Sequence, residues 1–167
     1  LLVLIPELSD MIGLEYNHPH HHLDVWNHTL LTLKNAPKDA EIRLVLLLHD
    51  IGKPHSYQDE EIRHFRSHPK ISAQIALQIL KRLHFNPDEI KRLCYLIEQH
   101  DSPITEEEIK NDEELARTKI IIQCCDTLAH NPSKLEKRIT YLLSINGKLN
   151  HKNEGRKSCH QKKYKNL

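Results

Sequence analysis

The chain has 167 residues, 38% of them hydrophobic and 28% charged, with a formal net charge of +1. That length and balance fit one globular domain with a sizeable core and argue against intrinsic disorder. The apolar runs are too short to span a bilayer, and "LLVLI" at the start lacks the basic residues and cleavage site of a signal peptide. The chain opens on Leu1 rather than Met, as expected of a piece of a longer protein. Four cysteines (Cys94, Cys124, Cys125, Cys159) form no CxxC pair, which points to a reducing cytoplasm and away from a cysteine-ligated zinc. The fourteen histidines raise the question of a metal.

Apolar spacing and helix start signals predict an all-α domain with helices over 2–12, 22–35, 39–50, 68–84, 87–100, 105–110, 113–129 and 132–145. The cluster "HPHHH" (His18, His20, His21, His22) reads as a polar lead into the second helix, with His22 able to line the mouth of a site without being a ligand. That helix carries His28 among Val25, Leu31 and Leu33. The third, "LVLLLHDIGKP", is strongly apolar until it ends in His49 and Asp50, two groups that need partners if they are buried. Residues 51–67 mix Gly, Pro and polar side chains and read as a loop over a site, carrying Lys53, His64 and Arg66. His68 opens the fourth helix, whose Ile71, Ile75, Ile79 and Leu83 share a face. Asn86, Pro87 and Glu89 have the spacing of a capping box with proline at the first helical position, Thr105 and Glu108 repeat the box, and His100 closes the helix between them. Asp126 interrupts the apolar run "IIIQCCDTLA", where a lone carboxylate needs a counter-charge. Residues 148–167 hold seven Lys or Arg against one acid, Glu154. Such a tail is ordinarily a frayed, solvated end, and it is also suited to nucleic-acid phosphates.

Taken singly, each histidine reads as a satisfied core or surface residue, and Asp126 as half of an ion pair. Their order, H…HD…H…H…D, resembles the HD-domain phosphohydrolase superfamily from about Glu7 to His130, through "LLLHDIGKP", "HFRSHPKISAQIA", "LIEQHDSP" and "CCDTLAH". Within it, "HHLDVWNHTLLTL" and "HFRSHP" are similar to the HD region of bacterial tRNA nucleotidyltransferases (multifunctional CCA proteins) and their stand-alone homologues. Ser67 and Ser72 stand where that family often has glycine. The Gly-Ser turn and paired carboxylates that nucleotide addition would need are absent from these residues.

The resemblance implies an HD-domain helical bundle over 1–147, a metal site between its helices, and a flexible basic tail over 148–167. It implies that His28, His49, Asp50 and Asp126 hold one divalent ion (Mn, Ni, Fe, Co, Mg or Zn). His68 and His100 would complete a second site bridged by Asp50; with one ion they would instead face the phosphate as donors or a general acid. A metal-activated water would then hydrolyse phosphomonoesters or phosphodiesters of nucleotides or RNA termini. Asp50 and Lys53 are the expected catalytic residues, Lys53 as a cation facing the phosphate or, more simply, as a lysine favoured by the helix dipole. His64 and Arg66 are substrate contacts or plain loop residues. Two other readings stay open: a di-iron oxygenase using the same six ligands, and a non-catalytic RNA-binding or interaction module.

Overall fold

The computed structural model describes residues 1–17, 23–57 and 63–163, with side chains up to residue 149 apart from residue 134. The histidines of "HPHHH", His22 included, lie outside the described residues. So do the tail's side chains beyond Leu149.

The described chain is built of α-helices: α1 (Val25–Asn35), α2 (Ala40–Leu48), α3 (His68–Arg82), α4 (Pro87–Glu98), α5 (Glu106–Asn111), α6 (Glu113–Thr127) and α7 (Glu136–Lys163). Short 3-10 turns lie at Pro6–Met11, Lys53–His55 and Pro132–Lys134. Among the described residues the only β pairing is an isolated bridge between Glu15 and Asp24. None of their helices is long and apolar enough to cross a membrane.

The helices begin where the sequence supplies caps. Asp24, Asp39 and Asp112 each accept a hydrogen bond from the backbone N–H three residues on, opening α1, α2 and α6. Both expected capping boxes are present, at Asn86/Glu89 and Thr105/Glu108. The ends differ from expectation in instructive ways. The first segment is a 3-10 turn rather than a helix over 2–12, because Pro6 has no N–H with which to continue one. The third helix stops at Leu48, so His49 and Asp50 lie in the turn that follows it. The last helix continues well past 145 to Lys163, with Leu142, Ile145 and Leu149 buried along one face.

α2 is the pivot, packing against α1, α3, α4 and α6, while α3 packs mainly on α4. The larger core includes Leu8, Met11, Leu46, Leu48, Leu80 and Ile97. A smaller core of Ile104, Ile109, Ala116, Ile120, Ile145 and Leu149 joins α5 and α6 to α7. Burying each large aliphatic side chain contributes about 1.5–3 kcal/mol, so the larger core fixes the helix ends on which the histidines sit.

Candidate metal centre

Asp50 is completely buried, and its two carboxylate oxygens face different neighbours. Oδ2 accepts from the Tyr16 hydroxyl at 3.0 Å and the Lys53 ammonium at 2.5 Å. It also lies 3.2 Å from His49 Nε2 and 3.8 Å from His28 Nε2. Oδ1 lies 3.3 Å from His68 Nε2 and 3.9 Å from His100 Nε2. Asp126 joins on the first side, its Oδ1 2.9 Å from His28 Nε2 and 3.7 Å from His49 Nε2. All six expected ligands, drawn from five segments of the chain, thus meet around one carboxylate.

The imidazoles are oriented from behind. Nδ1 of His49 donates to the Leu46 carbonyl, Nδ1 of His68 to Phe65, and Nδ1 of His100 to Ile97, at 2.7–2.8 Å. Nδ1 of His28 donates to Ala129 at 3.3 Å. A carbonyl can only accept, so each Nδ1 carries a proton, and a neutral ring then turns an Nε2 lone pair to the centre. Leu46 and Ile97 lie near the ends of α2 and α4, where the last carbonyls lack intrahelical donors. Helix termination and ring orientation are one arrangement.

Gly52 brings α3 into place. A Cβ there would lie 2.5 Å from the Ser72 backbone nitrogen and 2.7 Å from the His68 carbonyl oxygen, so only glycine permits this approach. Its N–H donates to Ser72 Oγ at 2.9 Å, which makes Ser72 a tether between the His49–Asp50 turn and α3. Ser67, just before His68, holds a left-handed φ of 62°, a conformation that favours glycine.

Burial opposes charge throughout this cluster, and the neighbours decide the outcome. Burial pushes the Asp50 carboxyl up, but His49 and Lys53 hold it well below the usual range. Asp126 is likewise raised by burial and brought well below its ordinary value by His28 and His49. Burial lowers His49, yet the two carboxylates prevail and raise it to about 10. Burial prevails at His28, and burial together with the charge on His49 brings His100 down to about 4. Two carboxylates therefore face one imidazolium and one ammonium.

Even so, His49 Nε2 and Asp50 Oδ1 have no hydrogen-bond partner among the described residues. Around Oδ1, the Nε2 atoms of His68 and His100 lie 3.4 Å apart, so acceptors crowd together where a cation would bind them all. The groups His28–His49–Asp126, His49–Asp50–His100 and His68–His100–Asp101 each converge closely enough to hold a metal ion. The donor set, imidazole nitrogens with carboxylate oxygens, fits such an ion.

Lys53 lies past the end of α2, as expected. Its side chain folds back over the turn that follows α2, with Nζ 4.5 Å from the centre of the Tyr16 ring and 3.1 Å from its hydroxyl. A cleft of about 280 Å³ opens beside it, lined in part by Lys53, Arg63, His64, Phe65 and His130. His64 lines this cleft, whereas Arg66 is exposed and does not. Tyr16 and His130 were missed in sequence. Spacing could have revealed His130, which lies one helical turn beyond Asp126 and donates from Nδ1 to the Asp126 carbonyl at 2.8 Å. Tyr16 sits in an irregular stretch that carries no such signal.

A helical domain that gathers four histidines and two aspartates in this order defines a class before it defines a protein. The family model described as the HD domain matches residues 20–143. The chain belongs to the HD domain family. It is 35% identical over 115 residues to a CC-adding tRNA nucleotidyltransferase of Thermus thermophilus, covering 63% of this chain and 26% of that protein. It is 34% identical over 104 residues to an A-adding tRNA nucleotidyltransferase of Deinococcus radiodurans, covering 58% and 24% respectively. A multifunctional CCA protein of Shewanella denitrificans is 33% identical over 109 residues, covering 61% and 25%. The chain thus spans about a quarter of the length of the curated relatives it matches.

Proposed function

We propose that this domain is a metal-dependent phosphohydrolase acting on phosphoesters of nucleotides or RNA termini. One observation carries the reading: Nε2 atoms from four separated histidines converge on the two oxygens of a single buried carboxylate. His28, His49, Asp126 and Asp50 Oδ2 would hold one divalent ion, and His68, His100 and Asp50 Oδ1 a second. When bound, such ions lower the pKa of a water and neutralise charge on phosphoryl oxygens. The backbone carbonyls behind the imidazoles keep their Nε2 atoms aimed without reorganisation. Lys53 borders the cleft with its ammonium on Asp50, where it can also offer a proton to a phosphoryl oxygen and offset the charge that grows there. Tyr16 fixes that ammonium from the other side through its hydroxyl.

A second reading is favoured by the relatives. They are tRNA nucleotidyltransferases, and this chain matches a minor share of each, so the domain would serve as a non-catalytic tRNA-associated module. Turnover decides between the two. Untagged protein is assayed on p-nitrophenyl phosphate, bis(p-nitrophenyl) phosphate and 2′,3′-cyclic nucleotides with Mn²⁺, Ni²⁺, Co²⁺ or Mg²⁺. The hydrolase reading expects activity that Asp50→Ala lowers by at least about 10³-fold. Wild-type protein no faster than that variant with every ion would leave the binding module.

A further inference from the structure

Asp101 stands outside the H…HD…H…H…D order, yet it borders the metal centre directly. An oxygen of its carboxylate lies within 4.8 Å of a ring nitrogen of both His68 and His100. Bonds of about 2.0–2.3 Å from donor to metal let two donors of one ion stand as much as about 4.5 Å apart. The Asp101 side chain is exposed and lines the cleft that opens on Asp50, so a small rotation brings its oxygen into that range.

The charges around Asp50 give this position a use. Beside Oδ2, His28 and His49 are joined by a second carboxylate, Asp126. Beside Oδ1, His68 and His100 bring imidazole nitrogens and no further negative charge. Two divalent ions would carry four positive charges, of which Asp50 and Asp126 offset two, and the Lys53 ammonium adds another. Buried excess charge is costly unless a counter-charge lies close. The second ion therefore lacks a carboxylate that the first one has.

The backbone at Asp101 is held in place. The buried Gln123 of α6 donates from Nε2 to the Ser102 carbonyl at 2.7 Å, and Arg138 of α7 donates from Nη2 to the Asp101 carbonyl at 3.5 Å. Asp101 also follows the end of α4, where the helix dipole disfavours an anion, so the helix does not account for the carboxylate.

We propose that Asp101 is a ligand of the second ion, beside His68, His100 and Asp50 Oδ1, and that its oxygen tunes this site toward oxygen-seeking ions such as Mn²⁺. The assignment rests on the two-ion arrangement proposed above, not on its hydrolytic chemistry, and is read from metal binding without turnover.

Mn²⁺ and Ni²⁺ are titrated separately into metal-free wild-type, Asp101→Asn and Glu98→Gln protein by calorimetry, with ion content read by elemental analysis after gel filtration. Glu98→Gln removes an equal charge from an exposed position on α4, outside the converging groups. Asp101→Asn is expected to keep the first ion and the wild-type urea midpoint, and to bind the second Mn²⁺ at least about tenfold more weakly. Its second Ni²⁺ should weaken by less, because imidazole nitrogens supply more of that ion's affinity. Glu98→Gln is expected to bind both ions as wild type does. Two ions held equally well by wild type and Asp101→Asn, an equal loss for Mn²⁺ and Ni²⁺, or a matching loss in Glu98→Gln overturns the Asp101 assignment and leaves the two-ion centre standing. Wild-type protein that takes up fewer than two ions overturns the two-ion arrangement, and the Asp101 assignment falls with it.

Discussion

The two sides of the Asp50 carboxylate are built differently. Oδ2 accepts hydrogen bonds from Tyr16 and Lys53 with His49 and His28 close by, and Asp126 adds a second carboxylate to that side from α6. Oδ1 is a bare acceptor facing His68 and His100, neither of which donates its ring proton toward it. The first side is balanced by protein charges alone. On the second, Oδ1 has no hydrogen-bond partner among the described residues, and a cation would satisfy it. One side thus belongs to the folded core as much as to chemistry, and the other leaves an acceptor open to a ligand.

Breaking the first side should cost the most. His49→Ala removes the positive partner of two buried carboxylates and should destabilise the fold by about 3–5 kcal/mol, read by urea denaturation, with loss of bound metal. His68→Ala, on the second side, should cost one ion by elemental analysis and leave stability within about 1 kcal/mol of wild type. Similar stability losses in the two variants would erase the distinction.

Gly52→Ala probes the joint between the sides. Its Cβ would press on the α3 backbone at Ser72 and His68, so we expect a loss of about 1–3 kcal/mol, together with weaker metal binding as His68 shifts. Proton linkage sharpens the contrast. The carboxylates hold His49 at about 10 without metal, so an ion binding there must displace its proton. Affinity on that side should rise about tenfold per pH unit from neutrality toward 10 and then level off, with close to one proton released per ion in calorimetry across buffers of different ionisation enthalpy. The smallest effect is expected at Ser67. Replacing this left-handed residue by glycine should stabilise the protein by up to about 1 kcal/mol, seen as a raised urea midpoint with unchanged metal content.

These sides differ also in how far they could be read in the sequence. Capping boxes at Asn86 and Thr105 and the periodic apolar faces made the helices legible, because both signals are local. His28 and Asp126 are 98 residues apart, and only their order within a multi-part motif linked them. Lys53 and Tyr16 were harder. The expected helix ran two residues past its true end, which hid the turn that folds the Lys53 ammonium back onto Asp50. Tyr16 reaches the carboxylate from an irregular segment, and such contacts follow from tertiary packing rather than from spacing. The bare state of Oδ1 has no sequence signature at all.

Metal content tests the central claim most directly. Untagged protein, purified without chelator, incubated with Mn²⁺ and freed of unbound ions by gel filtration, should carry two ions per chain, His68→Ala one, and Asp50→Ala none. Wild-type protein that retains no ion, or an ion content that Asp50→Ala leaves unchanged, would contradict the account.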